Sequence, residues 1–229
     1  MLTKKTDNDE FVSPYLFSKE TKPMKVYESL YPILISQAEK LLLQRHETYT
    51  FDDDHNGIGV LLLDKGLLSI RNSDNDKAIF TFFPPSILGM IETYKNFYNI
   101  PGSYNSFYYA ETDVSLFFIS QDKFVRTIDQ HNLWHDISRL LAHRLLILKA
   151  KQSKATTSDA YEEIRILIIE LWNYPEHYRN QIKLPNFIQR RTGISRSRIM
   201  KILSDLKFGG NIETKNGILV NVNKLPISY

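Results

Sequence analysis

Apolar and polar positions change their rhythm twice along the chain. Val60-Leu61-Leu62-Leu63, Leu67-Leu68-Ser69-Ile70 and Ala78-Ile79-Phe80-Thr81-Phe82-Phe83 are short apolar or alternating runs. Asp64-Lys65-Gly66 and Asn72-Ser73-Asp74-Asn75-Asp76 separate them. Short strands at ~8–12-residue spacing with such turns predict an antiparallel sandwich or barrel. A later run, 114–119, ends this β part. Ahead of it, a helix is predicted over 25–43, reset near Pro32. After Ser120 the period becomes helical, with Ile137, Leu141, Leu145 and Leu148 on one stripe and Leu133, Leu140 and Ile147 widening it. So wide an arc has room to pack on the barrel with one side and on a second copy of itself with the other. The polar stretch 152–158 reads as a linker. Asp159 then caps a helix over 160–172 with the stripe Ile164, Leu167, Ile168 and Leu171.

The next segment carries the candidate chemistry. Lys183, Arg190, Arg191, Arg196, Arg198 and Lys201 fall in 183–201 without one acidic residue. Asn186 to Thr192 has helical content, Gly193-Ile194 makes a tight turn, and Ser195 is placed to cap a second helix. Ile199, Ile202, Leu203 and Leu206 form an i, i+3, i+4, i+7 stripe that must face a core. Arg196, Ser197, Arg198 and Lys201 then lie near the helix start and off the stripe. A helix–turn–helix with basic side chains at the start of its second helix has the geometry that enters a DNA major groove. There Arg pairs bidentately with guanine, while Lys and further Arg hold phosphates. Gly209-Gly210 ends the helix, and Asn216-Gly217 between two alternating runs is a strong hairpin signal, which makes the hairpin a wing.

Composition narrows the classes. The chain has 229 residues, 42% hydrophobic and 24% charged, which fits a globular protein. No apolar run approaches the ~18–20 residues of a membrane helix, and the N-terminus lacks the apolar core of a signal peptide. A cytoplasmic location without membrane partners is expected. Cysteine is absent, so disulfides, thiolate zinc sites and iron–sulfur clusters are excluded. The net charge of +3 is uneven: residues 161–229 hold eleven Lys/Arg and six Asp/Glu, which leaves 18 basic and 20 acidic residues elsewhere. A basic C-terminal third suits a polyanionic partner.

The run Gly193-Ile194-Ser195-Arg196-Ser197-Arg198-Ile199-Met200-Lys201-Ile202-Leu203-Ser204-Asp205-Leu206 resembles, without gaps, the Gly-x-Ser-Arg-Glu-Thr-Val-x-Arg-x-Leu-x-x-Leu recognition helix of the cyclic-AMP receptor protein/Fnr family. The resemblance implies an α+β fold. Its parts are an N-terminal β-roll (a jelly roll of the cyclic-nucleotide-binding kind), a long dimerisation helix and a C-terminal winged helix-turn-helix. The chain then divides into a flexible arm (1–24), the β-roll (25–125), the dimerisation helix and hinge (126–155) and the DNA-binding domain (156–229). The implied partners are double-stranded DNA at a palindromic site, a second copy of the chain, and RNA polymerase. Arg196 falls on the family's guanine-contacting Arg and Lys201 on its second basic contact. Ser197 replaces the base-reading Glu, so the half-site need not be the family's usual one. Ser195 and Arg198 complete the expected contact set, with Arg190 and Arg191 as backbone contacts. Ile137, Leu141, Leu145 and Leu148 are the expected dimer stripe.

The same resemblance points to a degenerate ligand pocket at Met90, Tyr94, Tyr104, Asn105 and Tyr108. Gly89-Met90-Ile91 stands where the family has Gly-Glu-Leu, and the phosphate-binding Arg falls on Tyr104. A phenol does not neutralise a cyclic phosphate, and no Arg lies between Arg71 and Arg126. Dependence on cyclic AMP is therefore not expected. The rings at 94, 97, 98, 104, 107, 108 and 109 are expected to fill the pocket. No cofactor is predicted, although haem or a small aromatic ligand stays open. His131 and His135 at i, i+4 suit exposed helix histidines better than a metal chelate. Asp52-Asp53-Asp54 suits a solvated turn, His55 stands alone, and no catalytic constellation emerges, so an enzyme is not expected. The alternative is a β-barrel ligand-binding or scaffold protein whose basic end docks on an acidic protein.

Overall fold

A strand that reads Val60-Leu61-Leu62-Leu63 with no polar alternation must be covered on both faces. The computed structural model describes residues 14–51, 57–101, 105–152 and 159–228 and meets that requirement. Expectations for residues 1–13, Asp52-Asp53-Asp54, His55, Tyr104 and the 153–158 linker lie outside the described residues.

The chain opens with α1 (Pro14–Thr21) and α2 (Met24–Ile35), then β1 (Glu39–Leu43), β2 (Thr48–Tyr49), β3 (Gly59–Lys65), β4 (Leu68–Asn72), β5 (Ala78–Phe82) and β6 (Ser86–Leu88). After α3 (Met90–Phe97) come β7 (Ser106–Ala110) and β8 (Val114–Ser120). Two four-stranded antiparallel sheets, ordered β1-β8-β3-β6 and β2-β7-β4-β5, face each other. Leu61 and Leu63 of β3 point between the sheets with Leu68, Leu88, Tyr108, Leu116 and Phe118. Val60 and Leu62 point the other way, beneath α2 and the helices α4 (Gln121–Gln130) and α5 (Trp134–Gln152). Two covers make the run continuous.

Two expectations are corrected here. The helix predicted to Leu43 ends at Ile35, and 39–43 instead pairs with β8 from Glu39↔Phe118 to Leu43↔Val114. Sheet pairing overrides the helical preference of Glu-Lys-Leu-Leu-Leu. Pro32 lies inside α2 and does not break it. The expected arm, for its described part, holds α1, which packs on α5 and carries Tyr15 into ring contact with Phe83 and Tyr174.

The helical stretch after Ser120 is two helices. Asn132 adopts a left-handed φ of 59°, and the Leu133 amide donates back to the Ile128 carbonyl at 2.9 Å, which closes α4. His131 caps α4 and His135 lies on α5, so the two do not share one continuous helix.

The C-terminal part contains α6 (Ala160–Trp172), α7 (Glu176–Arg179), α8 (Leu184–Gln189), α9 (Arg196–Phe208) and the antiparallel pair β9 (Ile212–Lys215) and β10 (Ile218–Val222). The Asp159 carboxylate caps α6 by accepting from the Glu162 amide at 2.8 Å. Ile164, Ile168 and Leu171 meet Leu184, Phe187, Ile188 and the α9 stripe in one core. Asn216 and Gly217 take φ values of 52° and 83°, as a two-residue hairpin with the twist of its strands requires. Lys183 forms a bridge with Ile218, which ties the start of α8 to the wing.

Candidate nucleic-acid interface

The turn before α9 is built from side-chain oxygens. Buried Thr192 donates its hydroxyl to the Ile188 carbonyl at 3.1 Å, and the same oxygen accepts from the Ile194 amide at 3.3 Å. Ser195, extended at ψ 145°, accepts from the Arg198 amide and so caps α9. From that start Ile199, Ile202, Leu203 and Leu206 turn inward, each 3% exposed or less. Arg196, Ser197, Arg198 and Lys201 are all exposed. α9 therefore presents one apolar face to its domain and a basic first turn to solvent.

Gln189 belongs to this surface, although residue type and spacing gave no sign of it. Its side-chain oxygen accepts from the Arg196 guanidinium at 3.0 Å. That bond fixes where the arginine points before anything binds.

Arg190 and Arg191 have partners in the β-roll. Their side chains face the β-roll instead of continuing the α9 surface. The Arg190 carbonyl accepts from the Ala78 amide at 2.8 Å, and its guanidinium stands 3.8 Å from Asp76 and 5.4 Å from the centre of the Tyr109 ring. Arg191 donates to Thr81 Oγ1 at 2.6 Å and lies over the Phe187 ring at 3.7 Å. Further bonds join the domains. The Gly66 amide donates to the Tyr178 hydroxyl at 3.2 Å, and Arg45 donates to the Gln181 carbonyl. Beneath this seam, Arg71 is 1% exposed, 2.8 Å from Glu111 and 3.0 Å from Asp76, and stacks 3.3 Å from the Tyr109 ring centre. Burial alone would raise the Glu111 carboxyl. The guanidiniums of Arg71 and Arg191, with hydrogen bonds from Arg71 and Ser69, outweigh that and hold it below the usual range.

The expected ligand pocket is mostly dispersed. Met90 packs under α2 and α4, and Tyr108 is buried with its hydroxyl 3.4 Å from Glu92. Tyr94, Phe97 and Tyr98 are each 59% exposed, and Asn105 reaches outward to Asp74 at 3.2 Å. The rings of α3 thus do not fill the roll. Its helical flank is closed by Tyr27 and Tyr31 of α2 and by Arg144 of α5, which donates to the Ile87 carbonyl and lies 5.2 Å from the Phe82 ring centre. Tyr31 donates to the Ser86 carbonyl at 2.8 Å. Nearby, Lys22 donates to the Phe83 carbonyl at 3.0 Å; burial, then the Arg144 charge, pulls its ammonium down to about 8.

On α5, Ile137, Leu140 and Ile147 face the chain's own core. Leu141, Leu145 and Leu148 are 41%, 66% and 47% exposed, with Trp134 on the same stripe. Of the expected dimer residues, Ile137 belongs to the inner face and the other three to the outer one.

Residues 160–227 match the family model described as winged helix-turn-helix DNA binding. The CLP protein of Xanthomonas campestris, described as a c-di-GMP responsive global regulator, superposes with a TM-score of 0.68 at 16% identity, over 86% of this chain and 100% of that one. A transcriptional regulator assigned to the Crp/Fnr family, from Eubacterium rectale, gives 0.66 at 13% identity, over 86% and 93%. The fold is the one these two solved structures share. A protein of Escherichia coli K12 named inhibitor of hydrogen peroxide resistance is 28% identical over 209 residues, 91% of this chain and 98% of that protein. Among the described residues no helix is long and apolar enough to cross a membrane.

Proposed function

We propose that this chain is a dimeric, sequence-specific DNA-binding regulator whose response does not run through cyclic AMP. The observation that carries the reading is the first turn of α9. Arg196, Ser197, Arg198 and Lys201 are exposed together on a helix whose opposite stripe is buried. Arg196 reads a base edge, while Arg198 and Lys201 hold phosphates. The outer stripe of α5 supports a homodimer, because Leu141, Leu145, Leu148 and Trp134 form an apolar strip on one helix face. Two recognition helices about one DNA turn apart, ~34 Å, then match a palindromic site. Independence from cyclic AMP is supported by Met90 in place of the ribose-binding Glu and by a roll whose flank is closed by the chain's own Tyr27, Tyr31 and Arg144.

The E. coli relative's name suggests the physiology: the genes controlled by this chain set tolerance to hydrogen peroxide. A chain without cysteine cannot register peroxide through a thiol, so the signal reaches it by another route. Selection of genomic fragments by the purified protein tests the proposal. A shared palindromic motif, with genes of peroxide defence among its neighbours, is the expected result; recovery of no shared motif would contradict it.

A further inference from the structure

β5 is the outer strand of its sheet, bulged at Ile79, and its edge faces the C-terminal domain, where the Ala78 amide donates to the Arg190 carbonyl. The strand brings Phe80 and Phe82, followed by Phe83, half-buried to the domain seam. Across the seam stand Tyr174 and Tyr178, with Tyr15 of α1 at one end. Tyr15, Phe83 and Tyr174 lie 4.6–4.7 Å apart, centre to centre, at tilted or edge-on angles. Between these six rings is a cavity of about 410 Å³. It opens to solvent, and its volume falls in the range of small-molecule pockets, ~300–1,000 Å³.

The polar groups around it favour an anion. Lys19, His177 and Arg191 line the cavity, against one described carboxylate, Glu170. Glu170 is engaged, accepting from the Tyr174 hydroxyl at 2.9 Å. Among the described residues Arg191 has no carboxylate within 4 Å, and the negative charge it feels from Glu111 is already matched by Arg71. Its guanidinium carries five N–H donors, two of which are used on Thr81 Oγ1 and the Phe187 carbonyl.

We propose that this interdomain cleft binds a planar aromatic acid, its rings against Phe80, Phe83 and Tyr174 and its acidic group at Arg191. Aromatic walls stack on a flat ring system, and a planar guanidinium matches a carboxylate fork. Because β5 belongs to one domain and Arg191 immediately precedes the turn into α9, an occupant touches both domains. An occupant that favours one placement of α9 relative to the β-roll, where DNA also favours one, changes DNA affinity, and by linkage DNA changes the occupant's affinity by the same factor. That last consequence rests on the DNA-binding reading above; the binding itself does not.

The test is calorimetric titration of the full chain with 2-naphthoate, with 2-naphthalenemethanol as the neutral control. One naphthoate per chain is expected, bound at least tenfold more tightly than the alcohol. Ser18→Trp, which fills the cavity from its solvent-facing wall, abolishes binding, and Arg191→Gln reduces the affinity for naphthoate to that for the alcohol. No binding at millimolar naphthoate, or binding unchanged in Ser18→Trp, would overturn the site; an unchanged preference for the acid in Arg191→Gln would overturn its anionic half. With saturating naphthoate, affinity for the selected DNA site shifts at least threefold. An unchanged DNA affinity with naphthoate bound would overturn the coupling. Absence of any specific DNA binding would contradict the function proposed above and leave the calorimetric result standing.

Discussion

Lys22 shows how much of this molecule is set by single charged groups in partly dry places. Its ammonium, near Arg144 and bonded to the Phe83 carbonyl, titrates at about 8 in the fold against 10.5 for an ordinary lysine. Between these values the unfolded chain binds more protons than the folded one, so stability rises with pH through that window, and the penalty is fully present below about pH 8. Relative to Lys22→Met, which titrates nowhere, the wild type is therefore expected to gain about 2–3 kcal/mol between pH 7 and pH 10. Urea unfolding of both proteins at the two pH values checks this; a constant gap would show that Lys22 keeps an ordinary affinity for protons. Neither Lys22 nor Arg144 was legible as a pocket residue. Lys22 reaches the β-roll from the link between α1 and α2 and Arg144 from α5, both far away in sequence, and periodicity carries no information about such a meeting. The Gln189–Arg196 bond was equally hidden, since it joins two helices across a turn.

Elements were legible where one face decides them. The stripe Ile199, Ile202, Leu203 and Leu206, the Ser195 and Asp159 caps and the Asn216-Gly217 hairpin follow from local rules, and the structure has them where those rules put them. β1 and the break at Asn132 were not legible. The first depends on pairing with β8, some 75 residues on, and the second on a backbone conformation that Asn tolerates without advertising it. α5 shows both sides. Its wide arc predicted two packed faces, and the structure assigns Ile137 to the inner one and Leu141, Leu145 and Leu148 to the outer. If the outer stripe holds two copies together, Leu145→Glu places a charge in the interface from each copy. It should cost about 3 kcal/mol, roughly a hundredfold in the dissociation constant, without unfolding the domain. Sedimentation at micromolar concentration is the check: a wild-type dimer and a monomeric variant are expected, and two identical species would contradict the assignment.

At the scale of the whole molecule, the helix-turn-helix is seated on the β-roll by Arg190, Arg191, Tyr178 and Gln181. Charge and a place at the end of the helix before α9 marked Arg190 and Arg191 as phosphate contacts, because a sequence shows that a residue is basic but not which neighbour takes it. The seam changes what their loss should do. Arg190→Ala removes the Asp76 contact and should leave the slope of log affinity against log salt unchanged, whereas Lys201→Ala should make it shallower by about one unit. A shallower slope in Arg190→Ala would return that residue to the DNA.

The most direct measurement is a fluorescence-anisotropy titration of wild type and Arg196→Ala against the selected site and a scrambled duplex. If α9 reads bases through Arg196, the variant loses about 1–3 kcal/mol on the selected site, and preference relaxes at one position per half-site. On the scrambled duplex it changes little beyond the loss of one charge. Equal losses on both duplexes, or a wild type that does not tell them apart, would contradict the account.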